Sequence, residues 1–452
     1  MNSKFYNTLP AEIWCEVFKH LSVKDKTSTG KVCKKWHQLN ELDEIMFYGR
    51  VQFCYSFPFE ALDEKKAIEA SSWEQIVHIV NSFSRVKQIS FLGDFKLKSE
   101  ETIEKLRSTL TNVQSLKLYR CSIDSSHFLR LTEHLKTLKQ VSFIHSTKAA
   151  DTLNTLLSSN AAINSLTITG FKNAKLMPFD QRLKAFKHSL TITGDLFDIL
   201  CALKKSSAES LETMFIANVF PSKCVDVICT FKNLKDLRIS FYWFSDINWQ
   251  SMFVFENLEI LVVYPFGNKV HDVSFITKNR KLKVLALGFL LKITDSMIAE
   301  LCDQCTDLRT LIIRNSIHLT NACFKHLIKF KKLEQLQLID GIHISDETMA
   351  SFVKQCNSAF RVLRFDGRVN EATVEALKAT AETNCNEIHW AHLKCEKITL
   401  GKKPKKPQNL YVVHQKSNKM KKWNYFFDIQ LYYRLHPNDD FFAWKHYKVK
   451  RC

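Results

Sequence analysis

A chain of 452 residues with 45% apolar content exceeds what one hydrophobic core serves and is too apolar to be disordered, so several domains or a repeat array is expected. No run of about 18 apolar residues marks a membrane span, and ten glycines with neither G-x-G-x-x-G nor G-x-x-x-x-G-K-[ST] exclude a glycine-loop nucleotide site. The formal charge of +19 matters through where it sits along the chain.

The N-terminus, MNSKFYNT, lacks the charged-then-apolar pattern of a secretory signal. The fourteen cysteines are therefore expected to be reduced, most of them buried small hydrophobes, in a cytoplasmic and/or nuclear protein. The first element is TLPAEIWCEVFKHLS, residues 8 to 22. Leu9 leads into Pro10, which suits the first position of a helix because its missing N–H costs nothing there. Ile13, Trp14, Val17, Phe18 and Leu21 follow on one face at 3.6-residue spacing, with Glu12, Glu16, Lys19 and His20 opposite. Ser22 and Asp25 have capping-box spacing with Asp in place of Glu or Gln. KVCKKWHQL then sets Val32, Cys33 and Trp36 along a third short helix. Three such helices in about 35 residues cannot bury a stable core alone.

The residues Leu9, Pro10, Glu12, Ile13, Phe18, Leu21, Asp25, Val32, Cys33 and Trp36 resemble an F-box, whose pattern runs Leu-Pro, Glu-Ile, Phe, Leu, Asp, then Val-Cys-x-x-Trp. The resemblance implies a three-helix F-box over residues 4–45 that docks on the Skp adaptor, which joins a cullin–RING ubiquitin ligase. It implies adaptor binding by Leu9, Pro10, Ile13, Val17, Phe18, Leu21, Val32, Cys33 and Trp36. The chain departs from the family after Asp25, where an apolar residue and a mostly apolar or small stretch are replaced by Lys26-Thr27-Ser28-Thr29-Gly30. Gly30 inside a helix costs about 1 kcal/mol relative to Ala, and Lys26 removes an expected contact, so a reduced adaptor affinity is expected. The competing reading makes these helices a lid over the first repeat of a solenoid.

Residues 46–85 are expected to join the two parts. MFYGRVQFCYSF (46–57) reads as a linker strand that starts the sheet, and SSWEQIVHIVNSF (71–83) as an amphipathic helix with Trp73, Ile76, Val77, Val80 and Phe83 inward. A six-residue unit of apolar, x, x, apolar, x, apolar then recurs. It starts at 86, 113, 138, 163, 211, 234, 258, 282, 308, 333 and 360, with a degenerate copy, KHSLTI, at 187 and a weak one, CNEIHW, at 385. The thirteen starts are spaced by roughly 25 residues, inside the ~20–29 range of leucine-rich repeats. In LKVLAL the alternation is a short strand. The segment after it switches to helical spacing, with Thr294 or Asp295 as cap and Met297, Ile298, Leu301 and Cys305 inward. Repeated Ile-Thr/Ser-Asp after the strand, and Cys305 and Cys356 at helix ends, resemble the cysteine-containing leucine-rich repeats. The expected fold class is α/β: a leucine-rich-repeat solenoid of about thirteen repeats over 86–400, an arc of parallel strands and outer helices, preceded by the F-box.

Residues between the strand anchors are expected to line the concave surface. Among them Tyr119, Phe215, Tyr242, Tyr264 and Ile312 form an apolar and aromatic patch with Arg238, Arg314 and Arg364 nearby, the expected substrate-binding set. Either a partner or the chain's own tail covers that patch. The rings of FYWFSDINW (241–249) are expected to pack mostly against the next repeat. The tail, 401–452, holds +10 of the net charge and is dense in Phe, Tyr and Trp. YVVHQ (411–415) and WNYFFDIQLYYRL (423–435) are expected to fold against the last repeats, and Lys402-Lys403-Pro404-Lys405-Lys406 has the form of a nuclear localisation signal.

No catalytic residue, metal or cofactor is expected. Cys302-x-x-Cys305 has no second pair at zinc spacing, and Cys33, the one nucleophile candidate, should be buried in the F-box. The expected function is a non-catalytic substrate-recognition subunit: the F-box takes the Skp adaptor and through it cullin and RING proteins, and the repeats hold an unidentified protein substrate. The alternative is a leucine-rich-repeat scaffold, or a nucleic-acid-associated protein with a degenerate F-box. Nucleic acid is the disfavoured partner, since no recognised nucleic-acid fold accompanies the basic tail.

Overall fold

The computed structural model describes residues 11–39, 42–48, 67–69, 73–83, 86–92, 100–119, 125–132, 135–144, 153–154, 156–158, 160, 162–169, 183–189, 195–217, 223–242, 255–266, 274–288, 292–314, 316–339, 345–356, 359–360, 362–369, 390–395 and 412–414. The chain divides into two compact units, residues 1–181 with 417–452, and residues 182–416.

The first unit opens with helices α1 (Ala11–Lys19), α2 (Val23–Thr29) and α3 (Lys34–Leu39). Strands β1 (Leu42–Tyr48) and β2 (Ala67–Glu69) and helix α4 (Trp73–Val80) follow. Then come β3 (Val86–Leu92), α5 (Glu100–Thr109), β4 (Ser115–Tyr119), α6 (Ser125–Thr132), β5 (Gln140–Ile144) and β6 (Ser165–Thr169). Its strands are all parallel and lie in the order β2-β1-β3-β4-β5-β6. The second unit runs β7 (Ala185–Ser189), α7 (Asp195–Ser207), β8 (Thr213–Ala217), α8 (Lys223–Ile228), β9 (Asp236–Tyr242) and β10 (Ile260–Phe266). It continues through β11 (Val284–Leu287), α9 (Asp295–Gln304), β12 (Thr310–Arg314), α10 (Ala322–Leu327), β13 (Gln335–Ile339) and α11 (Asp346–Gln355). It ends with β14 (Val362–Val369), β15 (Trp390–Cys395) and β16 (Val412–His414). These ten strands are parallel and in sequence order. Each unit is a leucine-rich-repeat solenoid of stacked strand-led repeats, most with a helix between successive strands.

The anchors make the core. Val113, Leu116 and Leu118 around β4, and Leu282, Leu285 and Leu287 around β11, are buried, as are the inward helix residues Ile103 and Leu106 of α5 and Met297, Ile298 and Leu301 of α9. Three residues before the first anchor stands another buried position, filled by Leu110, Leu135, Asn160, Phe231, Phe255, Asn279, Cys305 or Phe330. Its carbonyl accepts the anchor N–H in a tight turn, as in Val113 to Leu110 at 3.0 Å and Leu308 to Cys305 at 3.1 Å. Where the position is polar, its side chain bonds into the neighbouring repeat. The Asn160 Nδ2–H donates to the Leu135 carbonyl at 3.2 Å, and the Cys305 thiol donates to the Asn279 carbonyl at 3.5 Å.

The residue after the first anchor supplies the joint between repeats. Its carbonyl accepts two successive N–H groups of the next repeat: Lys139 and Gln140 onto Gln114 at 2.8 and 2.9 Å, and Arg309 and Thr310 onto Lys283 at 2.8 and 3.0 Å. In the second unit the side chains at this position carry both signs, and ion pairs join Lys235 to Glu212, Lys283 to Glu259 and Arg309 to Glu334. These exposed pairs contribute only about 0–1 kcal/mol each, so the carbonyl joint and the buried anchors carry the stack.

The strand register corrects three expectations. The copy expected at 187 begins at Leu183: Ala185 pairs with Thr213 and Phe186 with Met214, and Leu183 and Phe186 are the buried anchors. The copy expected at 385 begins at 388, because Trp390 pairs with Val362 and Leu393 with Phe365. The first strand is LDEIMFY at 42–48, earlier than the expected 46–57, with Leu42, Ile45 and Phe47 opposite the anchors Val86, Ile89 and Phe91. In α4, Ile76, Ile79 and Val80 are buried with Phe83 just beyond, whereas Val77 is half-buried. The strand expected at 411–415 is β16, and the segment 423–435 lies outside the described residues.

Asn279 ties two repeats together through its side chain. Its Nδ2–H donates to the Phe275 carbonyl and its Oδ1 accepts from the Phe255 N–H, both at 2.9 Å, and the residue is fully buried. Asn279→Ala removes both bonds from a buried site and is expected to cost about 2–4 kcal/mol. The check is urea unfolding, where the midpoint falls with an unchanged slope; a shift within experimental error contradicts the assigned role.

Candidate functional site

Helices α1 and α3 meet through aromatic rings. Trp14, Phe18 and Trp36 form a trio with centroid separations of 5.9, 4.8 and 5.5 Å, and such pairs contribute about 0.5–1.5 kcal/mol each beyond the area they bury. Phe18 is enclosed at 3% exposure. Expected among the adaptor contacts, it is instead an internal packing residue. Helix α2 starts at Ser22, whose Oγ accepts the Asp25 N–H at 3.2 Å and donates to Asp25 Oδ2 at 2.6 Å, so Asp serves in the capping box. Val23 is fully buried behind this cap.

The departure from the F-box pattern is accommodated locally. Thr27, Ser28 and Thr29 turn their hydroxyls back onto the carbonyls of Val23, Lys24 and Lys26. Gly30 does not sit within the helix, as expected from the sequence, but just past its end, at φ −60°, ψ −20°, with its N–H on the Lys26 carbonyl. The mid-helix glycine penalty therefore does not arise. Lys26 is buried at 7% exposure, which a long aliphatic stem allows. Ahead of α3, Cys33 Sγ accepts the Trp36 N–H at 3.4 Å. Cys33 is exposed, contrary to the buried role expected of it.

What remains uncovered defines the site. Among the described residues four large apolar side chains are exposed, Ile13 (48%), Val17 (45%), Val32 (63%) and Ile317 (42%), and three of them lie in this helical segment. Ile13 and Val17 are one helical turn apart on α1, so they form one apolar strip. Leu21 and Trp36 are half-buried, and an open cleft beside Cys33 is lined by Gly30, Lys31, His37 and Gln38. Leu9 and Pro10 lie outside the described residues.

Of the expected substrate-binding set, four side chains are among the described residues. Ile312 and Arg314 are buried, and so is Arg238, whose Nε–H and Nη2–H donate to the two carboxylate oxygens of Asp236 on its own strand, each at 2.8 Å. Ile312 and Arg314 lie on β12, which like its neighbours β11 and β13 is buried on both faces, although β13, QLQLI, alternates in polarity. Phe215 is half-buried. Tyr119, Tyr242, Tyr264 and Arg364 occupy described strands, but their side chains lie outside the described residues, as does the end of the FYWFSDINW loop.

The repeat cysteines have structural uses. The Cys302 thiol donates to the His326 carbonyl at 3.1 Å, beside the Cys305 bond to Asn279. Burial pushes the Cys302 thiol pKa up to about 12 and that of Cys305 up to about 11, and it raises Cys323 likewise. Protonated thiols that already serve as donors to main chain are poor metal ligands or nucleophiles. The Ile-Thr-Asp segment also differs from expectation. Thr294 precedes α9 without a capping bond, and Asp295 instead accepts from the Thr320 N–H at 2.9 Å and hydroxyl at 2.6 Å, one repeat on. Ser345 does cap α11, accepting from the Thr348 N–H at 3.3 Å.

Residues 7–39 match the F-box domain family. No curated protein matches the chain. Solved structures with a likeness to it include the Rad7 and Elc1 complex of yeast, 12% identical over 86% of this chain and 72% of that one, with a TM-score of 0.27. They include a TLR13–ssRNA13 complex, 12% identical over 85% of this chain, with a TM-score of 0.35, in which this chain spans only 54% of the matched one. They also include the plant peptide hormone receptor RGFR1 with RGF2, 10% identical over 78% and 77%, with a TM-score of 0.30. The assignment of a leucine-rich-repeat solenoid rests on the strand ladder of this chain, and that of the F-box on residues 7–39.

Thiol chemistry tests this placement. Brief alkylation of the native protein should label Cys33 ahead of Cys224, Cys302, Cys305 and Cys323, which stay protected, as read by peptide mass spectrometry. Because the buried thiols keep their protons in the folded chain while the unfolded chain releases them near pH 9, their contribution to stability is complete below pH 9 and declines as pH rises toward 11–12. Early labelling of Cys302, or stability rising through that window, contradicts the packing.

Proposed function

We propose that the chain is a non-catalytic substrate-recognition subunit of a Skp–cullin–F-box ubiquitin ligase. The exposed strip of Ile13 and Val17, with Val32, is the observation that carries this reading. A packed helical unit leaves such side chains in water when another protein covers them. The match of residues 7–39 to the F-box domain family supports the Skp adaptor as that partner, and through it cullin and RING proteins. The repeats hold the substrate, and the contribution of the chain to transfer is proximity: two proteins held together convert a bimolecular step into an effectively unimolecular one.

The docking strip is Ile13, Val17 and Val32, flanked by Leu21, Cys33 and Trp36, with Leu9 and Pro10 completing it on the family pattern. Burying each exposed aliphatic side chain against the adaptor is worth about 1.5–3 kcal/mol at most. The double variant Ile13→Asp/Val17→Asp is therefore expected to weaken binding of purified Skp adaptor by about two orders of magnitude or more. Circular dichroism should remain unchanged, since both positions face solvent in the free chain. Undiminished co-purification of adaptor with the double variant overturns the reading. Ser22→Ala removes the α2 cap, costs that helix about 1 kcal/mol, and is expected to produce a smaller loss in the same assay.

A further inference from the structure

Val32 is the most exposed large apolar side chain among the described residues, and its chain neighbours Lys31 and Cys33 are exposed with it. Beside them opens a cleft of about 460 Å³, lined by Gly30, Lys31, Cys33, His37 and Gln38. The cleft is therefore continuous with the apolar strip, since residues on both sides of Val32 form its wall.

Its chemistry is cationic. No carboxylate lines it. Among the described residues Lys31 has no acidic partner; its main-chain N–H donates to the Ser28 carbonyl at 3.2 Å. His37 is half-buried, and its ring can donate a hydrogen bond. The described carboxylates of the three helices are engaged elsewhere: Glu16 with His20 on α1, at 3.8 Å, and Asp25 with the Ser22 cap of α2. The opening follows from where α2 stops. The helix ends at Thr29, and Gly30 leaves bare main chain in the cleft wall. At φ −60°, ψ −20° the backbone there suits any residue, so what glycine supplies is space.

We propose that this cleft seats an acidic side chain of the same partner that covers Ile13, Val17 and Val32, with Lys31 meeting the carboxylate and His37 donating to it. The proposal rests on the reading of the strip as the adaptor-docking surface, and it adds the chemistry of the partner's rim: a carboxylate beside an apolar anchor. Charge complementarity and continuity with the strip select this occupant, because interfaces surround an apolar centre with a polar, accessible rim. A charge on such a rim steers encounter and fixes orientation and adds little to the lifetime of the complex. Lys31 thus governs how fast the adaptor arrives, and Ile13 and Val17 govern how long it stays.

The test is stopped-flow association of the full chain with purified Skp adaptor at about 0.01 and 0.15 M salt, where the screening length is roughly 30 and 8 Å. Lys31→Glu should slow association about fivefold at the lower salt and less at the higher, with dissociation within about twofold of the parent. Gly30→Leu narrows the cleft, leaves every charge in place and should raise Kd about fivefold. Lys278→Glu makes the same change of net charge at an exposed lysine of the second unit and should alter association by less than about twofold. Circular dichroism should match the parent throughout; if Gly30→Leu does not fold, Lys31→Glu against Lys278→Glu decides. Equal slowing by the two lysine variants, an effect of Lys31→Glu confined to dissociation, or undiminished binding by folded Gly30→Leu each overturns the proposal. Where Ile13→Asp/Val17→Asp abolishes binding and Lys31→Glu and Gly30→Leu do nothing, the cleft lies outside the interface and the adaptor reading stands. Where Ile13→Asp/Val17→Asp leaves binding intact, the reading itself fails and the proposal with it.

Discussion

Each repeat is held to the next by one main-chain carbonyl that accepts two N–H groups at once, as Gln114 does from Lys139 and Gln140 and Lys283 does from Arg309 and Thr310. The arrangement fixes where the next strand begins, and with it which side chains become anchors. Each such bond contributes about 1 kcal/mol net, but the larger effect is geometric: a strand displaced by one residue would turn its whole apolar set outward. Because main chain alone makes the joint, the side chain at that position is released from structural duty. It is Lys, Gln, Asn, Glu or Arg in different repeats, and in the second unit several of these side chains pair across neighbouring repeats.

The helical segment obeys the opposite economy. In the repeats, the anchor side chains among the described residues find one another across the stack, and their exposure is close to nil. In the first three helices the rings of Trp14, Phe18 and Trp36 close a small core, yet Ile13, Val17 and Val32 stay in water. A segment this short buries too little surface to hide them all. Its local bonds are accordingly thorough: a reciprocal Ser22–Asp25 cap, three hydroxyls returned to helix carbonyls, and a sulfur acceptor before α3. These fix the shape of a surface whose remaining free energy comes from association.

The repeat anchors were legible because they are a local property of spacing, and the units at 86, 113, 138, 163, 211 and onward coincide with observed strands. The slips to 183 and 388 arose where an anchor is unusual. His188 and Ala391 stand where leucine would have marked the register. LDEIMF at 42 fits the unit and passed unread because it follows directly on helical spacing. The fate of the residues between anchors was not legible in this way. Whether Ile312 is buried depends on what lies over the sheet, which the spacing within one unit does not encode. Gly30 shows a related limit: its cost depends on whether the helix stops one residue earlier, which the hydroxyl-rich run before it determines.

The strand order at the start of the first unit has an evolutionary consequence. β1 lies between β2 and β3, so the chain passes outward to β2 and then back over β1 before the sequential ladder begins. Beyond β3 a tandem duplication of one unit would simply lengthen the stack, since each strand meets its sequence neighbours. At β1 no such insertion is neutral, because an added strand would part a pair that the crossover already spans. Growth or shrinkage of the array by gene rearrangement is thus confined to one direction, away from the helices, and the spacing between those helices and the first strands is protected from it.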